Sequence, residues 1–259
     1  MLKIALGQID ILLGAVGQNF RKIQDFSAQA AADSCQMVLF PELWSTGYDL
    51  ANHRRLSDPM GAGIFERVSQ LAREYQIWIG GSMLEEKDGQ SFNTFSLYSD
   101  QGELAAAYRK IHLFRLMDEH LWLAPGDQLV TAQSPWGLAG MAICYDLRFP
   151  EMFRKYATEG VKLVFIPAEW PSVRIQHWQT LLRARAIENQ MFVVAVNRVG
   201  QEGNDQFNGH SLVVSPWGEI LLDGGEAESL LTCEIDLAAV DEARRRIPIL
   251  TDRRPDIYG

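Results

Sequence analysis

The sequence predicts an α/β domain in which β-sheets are covered by helices. Two observations lead to this fold class. Apolar, strand-like runs alternate with segments of helical periodicity, and turn residues between other apolar runs add antiparallel hairpins. The chain has 259 residues, of which 47% are hydrophobic, and no shift in composition divides it. A chain of this length can bury one substantial core, so we expect a single domain spanning residues 1–259.

The individual elements follow from the pattern of apolar residues along the chain. Alternating or continuous apolar runs predict strands at Leu2–Ile9, Met37–Phe40, Trp78–Leu84, Phe92–Tyr98, Leu104–Tyr108, Leu138–Ile143, Leu163–Ile166, Phe192–Val196 and Leu230–Ile235. Apolar residues at helical spacing predict helices at Asn19–Ala32, Gly61–Tyr75, from about Pro150, and at Arg174–Asn189. Turn residues at Ser99–Gly102 and Pro216–Gly218 predict hairpins, and the aperiodic segment Lys110–Gln128 predicts a long functional loop.

Charge and cysteine content exclude several classes of protein. The net charge of -9 repels nucleic acid and anionic membranes, so neither is an expected partner. The N-terminal residues lack a secretory leader, and no run approaches the roughly 18 apolar residues that span a bilayer. The cysteines, Cys35, Cys144 and Cys233, form no CxxC pair, which favours reduced thiols over a disulfide or zinc site. We expect a cytoplasmic protein.

Three predicted strands are each followed by a reactive side chain. Glu42 follows Met37–Phe40, Lys110 follows Leu104–Tyr108, and Cys144 directly follows the strand that ends at Ile143. In α/β proteins, functional groups gather beyond the carboxyl ends of strands. The sequence therefore places a carboxylate, an ammonium and a thiol where they could form one site beyond the strand ends.

Together these groups could perform nucleophilic catalysis. A thiol with its usual pKa of about 8.5 needs a base before it attacks a carbonyl. Glu42 could be that base, and Lys110 with the backbone N–H of Tyr145 could hold the developing oxyanion. The alternative is structural, because a lone cysteine after an apolar strand is more often packed in the core, and single Glu and Lys residues are more often surface charges. The residues alone leave both interpretations open.

A chain-long resemblance to a known family favours catalysis. Its main motifs are Phe40–Leu43, Tyr108–Phe114, Ile143–Glu151 and Arg183–Gln190. In this order they resemble the nitrilase superfamily of carbon-nitrogen hydrolases, whose glutamate, lysine and cysteine triad would fall on Glu42, Lys110 and Cys144. The family's second glutamate would fall on Glu119, with Asp118 and Asp127 as near competitors.

The resemblance also implies a fold and an assembly. It implies a four-layer α-β-β-α sandwich that pairs into a homodimer or a higher homo-oligomer. The C-terminal tail, about residues 247–259, would lie at the dimer interface. The implied chemistry needs neither a metal nor an organic cofactor.

The residues after the cysteine narrow the expected substrate. Cys144–Glu151 resembles the branch of ω-amidases and deaminated-glutathione amidases and departs from the Cys-Trp-Glu pattern of true nitrilases. We therefore expect a terminal amide of a small carboxylate-bearing molecule, such as 2-oxoglutaramate. Alternatives are a deaminated-glutathione amidase or an N-carbamoyl amidohydrolase and, in other classes, an acyltransferase or a non-catalytic binding protein.

Substrate contacts are harder to predict than the triad. Arg148 could bind the distal carboxylate as a bidentate fork, or it could pair with Asp146 or Glu151 and brace the turn. Aromatic residues in or beside the motifs are expected pocket walls, although each could instead be core: Tyr48, Tyr145 and Trp170.

Overall fold

The computed structural model describes residues 1–258 and consists of short strands and helices. The strands are β1 (Leu2–Gln8), β2 (Met37–Leu39), β3 (Asp58–Pro59), β4 (Trp78–Lys87), β5 (Gln90–Tyr98), β6 (Leu104–Arg109), β7 (Thr131–Ser134), β8 (Gly137–Met141), β9 (Leu163–Ala168), β10 (Phe192–Asn197), β11 (Val199–Glu202), β12 (Asp205–Asn208), β13 (Leu212–Val214), β14 (Ile220–Asp223) and β15 (Ser229–Ile235). The helices are α1 (Val16–Ala32), α2 (His53–Leu56), α3 (Gly63–Tyr75), α4 (Glu119–Trp122), α5 (Pro150–Thr158), α6 (Ile175–Asn189), α7 (Ala238–Arg246) and α8 (Pro255–Tyr258).

The strands form two large sheets and a separate hairpin. The first sheet has the order β15-β1-β2-β4-β5-β6, with β3 beside β4, and the second has the order β14-β13-β10-β9-β8-β7. β11 and β12 form a two-stranded sheet, and a single parallel bridge joins Val199 of β11 to Asp10, just after β1. Each large sheet has parallel strands at its centre, namely β1, β2 and β4 in the first and β8, β9 and β10 in the second. Because β6 is antiparallel to β5, which is antiparallel to β4, the ends of β2 and β6 point the same way.

Alternation along the strands divides the apolar side chains between two cores. In β1, Ile4 and Leu6 join the core that the two sheets share, whereas Ala5 faces the other side of its sheet and packs in a core with α1 and α3. Residues of α5 and α6, such as Phe153 and Leu182, complete the core around the second sheet. The result is a four-layer α-β-β-α sandwich, as the resemblance to the nitrilase superfamily implied.

Differences from the expected elements are local. α1 begins at Val16 and not at Asn19, and β8 ends at Met141, before the expected end at Ile143. The strands β3, β7, β11 and β12 were missed because they are short and mostly polar, so they have no clear apolar alternation. The loop after Lys110 contains two single helical turns, Arg115–Met117 and α4. Within residues 1–258, no helix is both long and apolar enough to cross a membrane.

Candidate active site

Cys144 lies on a tight turn that follows β8. Its backbone has φ +44°, a left-handed conformation that residues with a side chain rarely adopt, and it begins a helical turn over Cys144–Arg148. Such a conformation costs on the order of 1–3 kcal/mol and persists only where surrounding contacts hold it. Ala142 and Ile143, which lie between β8 and this turn, are completely buried in the core, and Cys144 is 6% exposed.

The carboxylate of Asp146 supplies those contacts. It accepts hydrogen bonds from the Ile143 N–H at 2.9 Å, the Tyr108 hydroxyl at 2.8 Å and the His112 N–H at 3.1 Å. The ring nitrogen Nδ1 of His112 lies 2.7 Å from the same carboxylate. Asp146 therefore ties the Cys144 turn to β6 and to the loop after it. His112 belongs to this set of contacts, and no hydrogen bond joins a histidine to Cys144 within residues 1–258.

Glu42 lies just beyond β2 and is held by four donors. Its Oε1 accepts from the Lys110 ammonium at 2.7 Å, the Asn93 amide at 2.8 Å and the Tyr48 hydroxyl at 2.9 Å. Its Oε2 accepts from the backbone N–H of Glu169 at 2.9 Å. The side chain of Glu42 is fully buried, so no water competes with these donors. This set of contacts fixes the carboxylate in a single orientation.

Lys110, just beyond β6, lies between two carboxylates. Its Nζ is 2.7 Å from Glu42 Oε1 and 2.7 Å from Glu119 Oε1, and all three side chains have no exposed surface. Burial alone would lower the pKa of Lys110, but the negative charges of Glu119 and Glu42 outweigh it and raise the pKa above its usual value. The lysine is therefore a permanent cation at neutral pH.

Glu119 occupies the first turn of α4, and the loop folds back to place it there. Its second oxygen accepts the backbone N–H of Phe114, and its pKa is raised because burial and the charge of Glu42 outweigh the effect of Lys110. Asp118 and Asp127, the two competitors for this position, are exposed. The loop closes through a hydrogen bond from Gly126 N–H to the Lys110 carbonyl, where a Cβ would lie 2.2 Å from the Arg109 carbonyl oxygen, so only glycine fits.

The thiol of Cys144 is protonated in the resting protein. Burial raises its pKa well above the usual value and the charge of Glu42 raises it further, whereas Lys110 only partly offsets these effects. Tyr48 behaves in the same way, since burial and the charges of Glu119 and Glu42 raise the pKa of its phenol. Both groups are thus proton donors at neutral pH, and the thiol needs a base to become a nucleophile.

Cys144 opens into a narrow pocket whose wall carries two arginines. The pocket is lined by Phe114, Cys144, Tyr145, Arg148, Glu169, Trp170, Pro171 and Arg174. The Arg148 guanidinium carbon lies 4.7 Å from the Trp170 ring centroid, and the indole N–H of Trp170 donates to the Arg174 carbonyl at 2.9 Å. Neither arginine forms an ion pair with a carboxylate of residues 1–258, so both charges are available to a ligand.

The structure brings together most of the residues singled out in the sequence. Tyr145 and Trp170 line the pocket, whereas Tyr48 does not and instead directs its hydroxyl at Glu42 and Glu119. Arg148 does not pair with Asp146 or Glu151. Its side chain contacts His177 Nδ1 at 3.3 Å and the face of Trp170.

Sequence reasoning missed several residues that surround the triad. They are Asn93, Phe114, Asp146 as a brace, Glu169 and Arg174. Asp146 and Phe114 stand inside the motifs Ile143–Glu151 and Tyr108–Phe114, but a motif does not say which atom faces which. Asn93, Glu169 and Arg174 stand outside the four main motifs, and a single polar or charged residue gives no signal by itself, because such residues usually lie at the surface.

A four-layer sandwich with a buried cysteine, glutamate and lysine beyond three strand ends defines a class, the nitrilase superfamily of hydrolases. The sequence model of the carbon-nitrogen hydrolase family matches residues 3–245. The chain therefore belongs to the carbon-nitrogen hydrolase family and is a hydrolase of carbon–nitrogen bonds.

Individual relatives agree with this assignment. The chain is 41% identical to the 2-oxoglutaramate amidase of Bacillus subtilis over 252 residues, which cover 97% of each chain. A carbon-nitrogen hydrolase superfamily protein of Xanthomonas campestris, with an arsenic adduct in its active site, superimposes with a TM-score of 0.90 at 31% identity, covering 98% of this chain and 97% of the other. A mutant of the amidase of Nesterenkonia sp. AN1, with the acetamide moiety of fluoroacetamide covalently added at its active-site cysteine, gives a TM-score of 0.88 at 29% identity, covering 99% and 95%.

Proposed function

We propose that the protein is an amidohydrolase that cleaves the terminal amide of a small carboxylate-bearing molecule through a thioester on Cys144. The reaction we favour converts 2-oxoglutaramate to 2-oxoglutarate and ammonia. The observation that carries this proposal is the site itself, where a protonated thiol, a fixed carboxylate and a permanent ammonium adjoin a pocket with two unpaired arginines. The similarity to a 2-oxoglutaramate amidase supports the choice of substrate.

In the first half of the reaction, Glu42 accepts the Cys144 proton as the sulfur attacks the amide carbon. A carbon–sulfur bond forms, and the carbonyl oxygen becomes an oxyanion. Lys110 and the N–H of Tyr145 stabilise it. Of the three contacts made by Lys110, the one with Tyr48 at 3.4 Å is the longest and the easiest to exchange for the oxyanion. Glu42 then returns the proton to nitrogen, the carbon–nitrogen bond breaks, and ammonia leaves.

In the second half, water hydrolyses the thioester. Glu42 removes a proton from the water as its oxygen attacks the acyl carbon, and the same two groups hold the second oxyanion. Collapse releases the carboxylic acid and returns the proton from Glu42 to the sulfur. Glu119 keeps Lys110 charged and oriented in both halves, because it is the second carboxylate on the same ammonium at 2.7 Å.

The arginines on the pocket wall account for the preference for a carboxylate. A guanidinium binds a carboxylate through two parallel hydrogen bonds, and Arg148 has no protein carboxylate to satisfy it. Its stacking on Trp170 orients the guanidinium through its flat face, and of its N–H groups Nη2 contacts His177 Nδ1 at 3.3 Å. Arg174 adds a second positive charge to the same pocket. We assign Arg148 the distal carboxylate of the substrate and Arg174 a supporting electrostatic role.

We also propose that the protein acts as a homodimer, with the C-terminal tail at the interface. Ile249, Asp252, Arg253 and Tyr258 lie along α5, yet the tail leaves Ile257 71% exposed and Tyr258 63% exposed. Large apolar side chains left in water on a chain end favour burial by a partner. Sedimentation should show a dimer that Ile257→Asp weakens, and a monomer at micromolar concentration would contradict this part of the proposal.

The proposed location is the cytoplasm. All three cysteines, Cys35, Cys144 and Cys233, are free thiols in the structure. A catalytic thiol and two spare thiols remain reduced in a compartment rich in glutathione or thioredoxin. Tagging the protein and fractionating cells tests this, and recovery in a secreted or membrane fraction would contradict it.

The function is tested by measuring ammonia released from a panel of amides. The panel should contain 2-oxoglutaramate, succinamate, an N-carbamoyl amino acid, deaminated glutathione and a neutral aliphatic amide, with Cys144→Ala as the inactive control. We expect the highest kcat/KM for 2-oxoglutaramate. A higher value for the neutral amide or the N-carbamoyl compound would overturn the substrate assignment, and equal turnover by Cys144→Ala would overturn the mechanism.

A further inference from the structure

The main chain of Glu169 contacts both reacting residues. Its N–H donates to Glu42 Oε2 at 2.9 Å, and its carbonyl oxygen accepts from the Cys144 thiol, with the sulfur 3.9 Å away. Glu169 stands immediately after β9, the strand between β8 and β10. The placement of this one residue therefore sets where the base lies relative to the nucleophile.

The side chain of Glu169 points to an anchor that the triad does not use. Its Oε2 accepts from Arg198 Nη1 at 2.7 Å, and both side chains are almost completely buried. Arg198 also donates to Glu202 Oε2 at 2.9 Å and to the Ile11 carbonyl at 2.7 Å. One guanidinium, with no exposed surface of its own, thus ties Glu169 to β11 and to the segment after β1.

The residue before Arg198 holds the residue after Glu169. The Asn197 side chain accepts the backbone N–H of Trp170 at 2.7 Å and donates to the Trp170 carbonyl at 3.1 Å. Two successive residues at the end of β10 therefore fix two successive residues at the end of β9. Trp170 and Glu169 line the pocket and adjoin the triad, so these two pairs of contacts fix the part of the pocket wall that lies beside the triad.

We propose that Glu169 is a positioning residue for the reaction, and that its bond to Arg198 holds its main chain where it aligns Glu42 with Cys144. The inference rests on the proposed amidase mechanism in that Glu42 and Cys144 are the reacting pair. It adds a residue that touches neither the scissile bond nor the oxyanion and that acts only through the base and the nucleophile.

Glu202 provides a matched control. It bonds the same Arg198 guanidinium, at 2.9 Å, but its own main chain makes no hydrogen bond to Glu42, Lys110 or Cys144. Truncating either glutamate removes one carboxyl partner from Arg198, so both variants should lose stability. Only truncation of Glu169 releases the main chain beside the triad.

The first experiment compares the kinetics of Glu169→Ala, Glu169→Gln and Glu202→Ala on 2-oxoglutaramate. We expect Glu169→Ala to lower kcat about 100-fold with KM within about twofold, because small misplacements of reacting groups cost rates of this order. Glu169→Gln should recover most of kcat, since its amide oxygen still accepts from Arg198. Glu202→Ala should keep kcat within about threefold of the native value, because it leaves Glu42 and Cys144 aligned.

A second measurement does not depend on amide turnover. Alkylation of Cys144 by iodoacetamide, followed by mass analysis of its peptide, reports how well Glu42 deprotonates the thiol. It should be slow in Glu169→Ala and unchanged in Glu202→Ala. If Glu169→Ala does not fold, Arg198→Lys is measured instead. Cys144 alkylation should again be slower than in the native protein, but by a smaller factor, because an ammonium keeps the charge but loses the planar set of guanidinium donors.

The outcomes separate the two proposals. If the native protein releases no ammonia but the alkylation pattern holds, the proposed function fails and the positioning role stands. If the native protein is active and Glu169→Ala retains its kcat, or loses no more than Glu202→Ala, the positioning role is wrong while the amidase function stands. The positioning role would also be overturned if Cys144 in Glu169→Ala were alkylated as fast as in the native protein. Where Glu169→Ala does not fold, the same result in Arg198→Lys would overturn it.

Discussion

The buried charges beside the pocket, called the floor, and the partly exposed arginines of its wall, called the rim, differ in how their charges are paired. At the floor, Glu42, Lys110 and Glu119 have no exposed surface and are joined by bonds of 2.7 Å. At the rim, Arg148 and Arg174 are partly exposed, contact aromatic rings, and have no carboxylate partner within residues 1–258. The charges of the floor are paired with one another inside the protein, whereas the charges of the rim are not paired with a carboxylate of residues 1–258.

This difference separates catalysis from recognition. Groups that stabilise a transition state work best when their orientation is fixed in advance, and burial among bonded neighbours fixes it. Groups that choose a substrate need unsatisfied charge, because a carboxylate already supplied by the protein would compete with the ligand. Variants of the floor should therefore reduce kcat and stability, and variants of the rim should raise KM for charged substrates only.

The largest effect is expected for Lys110→Met. The variant removes the oxyanion cation and leaves Glu42 and Glu119 buried side by side without a counter-charge. We expect kcat to fall about 1,000-fold and the free energy of unfolding to fall by about 3–5 kcal/mol. Steady-state kinetics and urea unfolding measure the two losses.

A matched lysine variant controls for the loss of charge. Lys162 pairs with Asp241 at 2.6 Å, but on the surface, so Lys162→Met should keep kcat and cost at most about 1 kcal/mol. If Lys110→Met were as mild as Lys162→Met, the floor would not be the preorganised unit described above.

The next effect is expected for Arg148→Met at the rim. Loss of a charged, bidentate contact costs about 1.5–3 kcal/mol, so KM for 2-oxoglutaramate should rise about 10- to 100-fold with kcat nearly unchanged. A neutral aliphatic amide serves as the internal control, since it has no carboxylate to lose. An equal rise in KM for both substrates would show that Arg148 only supports the turn.

A smaller effect is expected for Arg174→Met. Its guanidinium carbon is 5.4 Å from the Phe114 ring centroid, and its contribution to the pocket is a second positive charge. We expect KM for 2-oxoglutaramate to rise about three- to tenfold, in keeping with a partly screened charge. Adding salt should reduce the difference between Arg174→Met and the native protein, and a salt-independent difference would indicate lost packing.

The smallest effect concerns stability and pH. Burial raises the pKa of Glu169 from 4.5 to about 8 although Arg198 opposes the rise, and Oε1 is buried without a partner in residues 1–258. Between these pH values the folded protein keeps a proton that the unfolded chain has lost, so raising the pH favours unfolding. Glu169→Gln cannot titrate, and its stability should fall less between pH 5 and about pH 8. Parallel stability curves for the two proteins would refute the raised pKa.

The sequence carried the outline of the fold and the candidates for the main reactive groups. Apolar periodicity located the central strands, and the residues after β2, β6 and β8 were already Glu42, Lys110 and Cys144. Choosing Glu119 over Asp118 and Asp127 needed coordinates, because the three carboxylates lie within one loop and only its folded path buries one of them.

Other features depend on contacts between distant segments. The bond from Glu169 to Glu42 joins residues that follow strands of two different sheets, which no local pattern encodes. The sequence does not reveal the positive φ of Cys144 either, because glycine usually marks such turns and here a cysteine stands in its place. The engagement of Asp146 by Tyr108 and Ile143, which leaves Arg148 without that partner, is likewise visible only in the structure, and carboxylate binding by Arg148 stays a prediction.

The most direct test of the central claim is to detect the covalent intermediate. The protein is mixed with 2-oxoglutaramate, quenched in acid within the first turnover, and digested for mass analysis of the Cys144, Cys35 and Cys233 peptides. We predict an added 2-oxoglutaryl mass on the Cys144 peptide alone, appearing and decaying with ammonia release. Ammonia released with no adduct at any quench time, or an adduct confined to Cys35 or Cys233, would contradict the account.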